Sequence, residues 1–369
     1  MNLAAAPRSL ELIRIDDLAG FDALRGAWDD LRRADPYASV FLSSAWLRAF
    51  LAVSPLPWSI LALRDGGRLV AALPISLRGS PHPKLPIARQ LTFASAPFAD
   101  YQGMLCRPAD EPEAIERFAD ALSATPWDIA SFTDVLDPRF AAIVERLRDG
   151  GATLEESETT PCSAIDLPSD WTELLARLSK PTRRSTLRPM KMIAESLPNW
   201  RATAATAADV DAHIEALLDL NALRWGTTAD RNDKYRRLFR ATFAAGCLRI
   251  NVLWDGNHAF AGSAAFVDPE RGVYADYLLG HDPTYGRFSP GKAILGTCIQ
   301  EAIDGGFRTF DFMRGGEAYK GSYATRETHN RHFALARGSA RARLLRLLQP
   351  LYDAVRAAAV RIRTRRPAP

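Results

Sequence analysis

Residues 272–323 read GVYADYLLGHDPTYGRFSPGKAILGTCIQEAIDGGFRTFDFMRGGEAYKGSY, and the order of residue types in this stretch decides the fold. Val273–Leu279 is rich in aromatic and branched residues and stops at Gly280, a strand pattern. Asp282-Pro283 and Ser289-Pro290-Gly291 punctuate a loop. Ser289 stands where an N-cap belongs, and Pro290 follows at the first helical position. Ala293, Ile294, Thr297, Cys298, Glu301 and Ala302 recur at helical spacing until Gly305-Gly306 ends the helix. Thr309–Met313 has the composition of a buried strand. A helix between two strands is a crossover, so the strands are expected to be parallel. Such units bind ligands at the strands' carboxyl ends, where a helix N-terminus offers backbone N–H groups and a positive dipole end. Ser289, Gly291 and Lys292 are therefore candidates to hold a phosphate-bearing group. Neither a GxGxxG run nor a Walker lysine accompanies the loop.

Taken together, GHDPTYGRFSPGKAIL and DFMRGGEAYKGSY resemble the acyltransferase families of the GNAT superfold. The resemblance is to tandem-domain GNAT-like proteins related to the cellulose-biosynthesis acetyltransferases and, more distantly, to Fem-type peptidyltransferases. It implies an N-acyltransferase with acetyl-CoA (acyl-CoA) as co-substrate. The acceptor it implies is an amine on a sugar, polysaccharide precursor or envelope metabolite. In the resembled families a lysine at the position of Lys320 faces the reaction centre or the donor. A tyrosine near the end of the first crossover strand protonates the leaving thiolate, a role that Tyr277 or Tyr285 would fill.

Working outward, the rest of the chain repeats the same plan. In the first half, helices over 21–33 and 44–51 precede a hairpin at Asp65-Gly66-Gly67, short strands, a helix over 112–123, a strand over 127–132 and a helix over 138–148. In the second half, strand 162–167, helix 169–178, a basic segment and strand 200–204 lead to helices over 209–225 and 233–245. A hairpin at Asp255-Gly256 then enters the quoted stretch, and 332–337 alternates as a last strand. The expected architecture is α/β with a mixed sheet: two tandem GNAT-like domains, 1–160 and 161–338, and a basic helical tail over 339–369. The first domain is expected to help form the acceptor pocket.

Composition narrows the function further. The chain has 369 residues, with 47% hydrophobic and 24% charged, enough for two globular cores. Four well-separated cysteines without a CxxC argue against disulfides and zinc ribbons and fit a reducing cytoplasm. The N-terminal segment lacks the apolar run of a signal peptide or membrane span. Net charge is +4, but residues 337–369 hold nine arginines and one aspartate, so the remainder is acidic and does not suit a DNA binder. The tail's leucines among arginines form a basic amphipathic pattern. Its first part is expected to dock on the protein body, with contact to an anionic membrane surface as the alternative, placing the protein at the inner face.

Several side chains are candidates for chemistry. Lys320 is one of six lysines, and a cation there suits a phosphate or the oxyanion of a tetrahedral intermediate. Amine attack needs a neutral nitrogen, so a base helps, and Glu317 fits that role better than Asp311, which reads as structural. Lys180, Arg184 and Arg188 fall four apart with no acid among them. They suit a CoA phosphate, a nucleotide-sugar diphosphate or an RNA backbone. Pro181 and Pro189 predict a short or kinked helix there. His281 reads as a hydrogen-bonded surface group, and Arg224-Trp225 ends a helix that could face the cleft. His329 and His332 lack a third ligand, so no metal is expected. A Fem-type aminoacyl-tRNA-dependent reaction is the rival enzyme reading, disfavoured because no long heptad arm is present. A non-catalytic GNAT-like binding module is the rival outside catalysis.

Overall fold

The computed structural model describes residues 10–348 except 83–84, together with 350 and 354. The side chains of 81, 82, 85, 86, 155–158, 224 and 225 also lie outside the described residues, as does most of the tail beyond 348. The expectation for Arg224-Trp225 falls there.

The described chain runs β1 (Glu11–Ile15), α1 (Leu18–Ala34), α2 (Ser44–Val53), β2 (Ser59–Asp65), β3 (Arg68–His82), β4 (Leu85–Phe93), β5 (Leu105–Cys106), α3 (Glu111–Ala124), β6 (Ile129–Val135) and α4 (Phe140–Asp149). It continues through β7 (Thr153–Asp166), α5 (Trp171–Arg177), α6 (Lys180–Ser196), β8 (Trp200–Ala204), α7 (Val210–Trp225), α8 (Ala229–Ala244), β9 (Leu248–Asp255), β10 (His258–Asp268) and β11 (Val273–His281). The last elements are α9 (Pro290–Asp304), β12 (Thr309–Arg314), α10 (Ala318–Gly321) and β13 (Arg326–Ala336). A helix over residues 340–348, α11, follows.

The chain divides into two units. The first comprises 1–44, 54–159 and 331–369; the second comprises 45–53 and 160–330. Each is built alike. In the first, β1-β2-β3-β4 is antiparallel and β4 then pairs β6 in parallel across the α3 crossover. In the second, β8-β9-β10-β11 is antiparallel and β11 pairs β12 in parallel across α9. The parallel crossover expected from residues 272–323 is thus present. Each sheet is completed by a strand from outside its own run. Residues 331–336 of β13 pair with β6 in the first unit, and residues 162–166 of β7 pair with β12 in the second. Sequence order alone puts strand 331–336 and helix 45–53 in the opposite halves.

Each unit has its own core. In the first, Phe93, Phe132 and Phe140 meet with ring centroids 4.8–5.1 Å apart. In the second, Tyr274 stacks on Phe310 at 5.4 Å, and Ile294, Cys298, Ile299 and Ala302 of α9 pack beside them. The face covered by α7 and α8 is opposite to that covered by α9. Tyr274 meets Glu301 of α9, whereas Tyr277, at a bulge in β11, meets Tyr235 and Phe239 of α8. Gly280 is required where α7 crosses β11: a Cβ there would lie 2.6 Å from the Asn221 backbone nitrogen. No helix among the described residues is long and apolar enough to cross a membrane.

The basic segment differs from expectation. Lys180–Ser196 is one 17-residue helix that includes Pro189, rather than a short element. An interior proline costs about 3 kcal/mol through its missing N–H and ring clash. Thr182, Thr186, Pro189 and Ile193 are all buried along one side. Burying the Ile193 side chain recovers about 1.5–3 kcal/mol, and burial of Pro189 itself adds to it, so packing offsets the local defect.

Candidate active site

The long α6 brings the predicted cations together. Lys180, Arg184 and Arg188 stand at i, i+4 and i+8 on the face opposite the buried residues. With Arg287, Ser289 and Lys292 from the start of α9, they line a cleft of about 580 Å³. Met192, Phe288, Pro181 and Pro189 supply apolar lining, and no carboxylate is among the residues that form it. Five cations without a counter-charge on the wall make a site for a polyanion, and the volume falls within the range of ligand pockets. Sequence spacing anticipated Lys180, Arg184, Arg188, Ser289 and Lys292. Arg287 was missed because it sits in the Pro283–Phe288 turn, whose single 3₁₀ coil brings it round to α6.

Ser289 is the N-cap of α9 by position but not by bonding. Its backbone is left-handed, with φ 51° and ψ 56°, and its side chain makes no cap hydrogen bond. The residue lines the cleft instead. Gly291 lies just inside the helix, where a Cβ would meet His281 Nδ1 at 3.5 Å.

Lys320 does not line this cleft. It is buried, on α10, and Nζ donates to the Arg314 carbonyl at 2.8 Å and the Met313 carbonyl at 3.5 Å. The Glu317 carboxylate lies 2.9 Å away, so the ammonium's three protons each have an acceptor. The turn that supplies these carbonyls is tight: Met313 has φ 61° and Gly315 φ 126°. A Cβ on Gly315 would fall 2.9 Å from Lys320 Nζ. Asp311 serves the same turn, its Oδ1 accepting the Met313 N–H at 2.7 Å, which is the structural use expected of it.

The strands themselves part nearby. β11 and β12 are paired only from Val273/Thr309 to Ala275/Asp311. Asp276 is the next residue of β11 after that pairing ends. It is buried and accepts a hydrogen bond from Ser263 Oγ at 2.5 Å. Burial drives its pKa up to about 6, against the opposing effects of the Ser263 hydroxyl and the Lys320 cation. Asp276 was missed from sequence. Its one signal is that it is the only acid in the apolar run of residues 273–280. Beneath it, Glu301 accepts from Tyr274 at 2.9 Å and from Asn251 Nδ2 at 2.5 Å, a buried network on the α9 face.

The other predicted residues are placed apart from the cleft. Tyr277 belongs to the aromatic cluster with Tyr235, Phe239 and Phe266 on the α8 side. Tyr285 stacks between His258 and Phe260 and donates its hydroxyl to Asp255 at 3.1 Å. Burial and the adjacent Asp255 raise its pKa. His332 Nδ1 accepts the Asp134 N–H at 3.3 Å, a structural contact. A hydrogen bond ties the cleft helix α6 to the segment just after the Lys320 turn. Thr186, on α6 between Arg184 and Arg188, meets the Tyr323 hydroxyl at 2.6 Å, and Tyr323 is three residues beyond Lys320.

A parallel pair that separates beside a helix start faced by cations is the arrangement of a known domain type. The acetyltransferase (GNAT) domain model matches residues 181–321. Over these residues the chain is similar to the GNAT acyltransferases. The match begins within α6 and ends just after Lys320, so it takes in both the cleft and the lysine turn. Solved structures extend the likeness of fold to the tandem arrangement. FemX is similar at a TM-score of 0.61 and 12% identity, over 92% of this chain and 99% of that one. A tandem GNAT protein from the clavulanic acid biosynthesis pathway is similar at 0.56 and 12%, over 90% and 100%. The C-terminal domain of a putative lysylphosphatidylglycerol synthetase from Agrobacterium fabrum is similar at 0.53 and 11%, over 90% and 96%. At these identities the likeness is one of fold. No curated protein matches the chain in sequence.

Proposed function

We propose that the GNAT domain transfers an acyl group, most simply acetyl, from acyl-CoA to an amine of a sugar, polysaccharide precursor or envelope metabolite. The observation that carries this is the cleft. Arg184, Arg188, Lys180, Arg287 and Lys292 converge at the first turn of α9 without an opposing acid. The donor's phosphates would lie there, with the Ser289 hydroxyl and the Gly291 backbone at the helix start. Met192 and Pro181 offer apolar surface to the adenine ring. The acyl end would reach the opening between β11 and β12, where Asp276 and the Lys320 turn lie.

At that end the amine nitrogen attacks the thioester carbonyl, the carbon–sulfur bond breaks, and the nitrogen loses a proton. Glu317 is half exposed beside Lys320 and is proposed to accept that proton. Lys320 is proposed to offset charge developing on the carbonyl oxygen. For that it must exchange its hold on a turn carbonyl for the substrate, so the turn acts as its resting clamp. Tyr277 and Tyr285 are the tyrosines proposed as the acid for the thiolate, and of these Tyr285 donates its hydroxyl to Asp255.

Thermal-shift measurement with acetyl-CoA, CoA and UDP-sugars tests the donor. Stabilisation by both CoA compounds, reduced in an Arg184→Ala/Arg188→Ala double variant, is expected. Wild-type protein unmoved by either CoA compound would overturn the reading. The exposed, open cation row favours one alternative donor, the acceptor arm of an aminoacyl-tRNA. Competition settles between them: RNA that displaces CoA, with no acyl transfer from acetyl-CoA to any amine, would assign the Fem-type reaction.

A further inference from the structure

Eight large hydrophobic side chains are exposed among the described residues, and three of them fall within five positions of α11. Leu344, Leu347 and Leu348 are 47%, 77% and 37% exposed. Their spacing puts them on one face of the helix. The helix is firmly seated in the first unit by its other side. Ala342 and Leu345 are buried. Ser339 Oγ accepts the Ala342 N–H at 3.0 Å and donates to Asp128 Oδ1 at 2.9 Å. Just upstream, Arg337 donates its N–H to the Asp128 carbonyl at 2.9 Å and lays its guanidinium 4.2 Å over the Trp127 ring. The expected docking of the tail's first part is therefore present, yet it leaves the leucine face outward. Arg341 and Arg343 are exposed on either side of that face, and residues 337–369 carry nine arginines against one aspartate.

We propose that this leucine–arginine face rests on an anionic lipid bilayer. Charge complementarity selects the occupant. A second copy of the chain would bring two strongly basic segments together, which opposes association. A nucleic acid would neutralise the arginines and leave three leucines in water. A bilayer surface with anionic headgroups takes both at once: leucines enter the boundary with the acyl chains, and guanidinium groups stay at phosphate level. The helix would lie in the plane of the interface. Nothing in this placement depends on the donor or on the acyl centre.

Co-sedimentation of the full chain with vesicles tests it, using phosphatidylcholine alone and phosphatidylcholine enriched in phosphatidylglycerol. Binding to the anionic vesicles is expected, at least roughly tenfold stronger than to the neutral ones and weakened by added salt. Arg341→Gln and Arg343→Gln should each weaken binding about fivefold. Leu344→Gln/Leu347→Gln should weaken it by roughly tenfold or more at unchanged charge. These positions are exposed, so circular dichroism of the variants should match wild type. Equal pelleting with and without vesicles would overturn the proposal. So would anionic-vesicle binding that survives the double leucine substitution, since charge alone would then explain it. Preferential binding to RNA, indifferent to the leucines, would assign the face to nucleic acid instead.

Discussion

Asp276 is expected to make folding itself depend on pH. Its carboxyl is buried at the point where β11 and β12 part, with the Ser263 hydroxyl donating to it. Burial lifts its pKa from 3.8 to about 6. In the unfolded chain the ordinary value returns. Below about pH 4 both states hold the proton, and the folded state keeps its full advantage. As pH rises towards 6 the folded state still binds a proton that the unfolded state has released, so stability falls. Above about pH 6 both states are ionised and the loss is complete. At about 1.4 kcal/mol per pKa unit, a difference near two units corresponds to about 3 kcal/mol. Asp276→Asn removes the titrating group but keeps an oxygen for the Ser263 hydroxyl. Urea unfolding of both proteins from about pH 4 to about pH 8 measures the effect. The stability of the variant relative to wild type should rise by about 2–3 kcal/mol from the acid to the neutral end of that range. A difference that is flat across the range, or that falls with pH, would refute the assignment of a buried, reluctantly ionised carboxyl to this position.

Each of Arg184→Ala and Lys292→Ala should weaken CoA binding about tenfold, the loss shrinking in high salt because these side chains are exposed; calorimetric titration reads it, and unchanged affinity in both would separate the cleft from the donor. Lys320→Ala should abolish acyl transfer while far-ultraviolet circular dichroism stays that of a folded protein, and a fully active variant would remove Lys320 from the chemistry. Arg139 is almost fully buried between Asp35 and Asp137, at 2.8 Å from each, so Arg139→Ala should cost about 3–5 kcal/mol in denaturant unfolding by leaving two buried carboxylates without their cation. Gly280→Ala should lower stability by about 1–3 kcal/mol, because the added methyl meets the backbone of α7 and not a movable side chain.

The sequence by itself determined the local elements and the order in which they occur. Alternation, helical spacing and the Gly/Pro punctuation of residues 272–323 are set by neighbours along the chain, so the strand–helix–strand crossover and the α9 start at Pro290 were legible. The i, i+4, i+8 row of Lys180, Arg184 and Arg188 was legible for the same reason. Only the tertiary structure decided the rest. Whether α6 runs through Pro189 depended on burial of Pro189 and Ile193, a packing free energy that a residue's own propensity does not contain. The opposition of Arg287 to α6, the burial of Lys320 under its own turn and the raised pKa of Asp276 follow from where distant segments meet. So does the assignment of strand 331–336 to the first unit and strand 162–166 to the second. Strand pairing is made through backbone hydrogen bonds common to all residues, and it leaves little trace in side-chain identity.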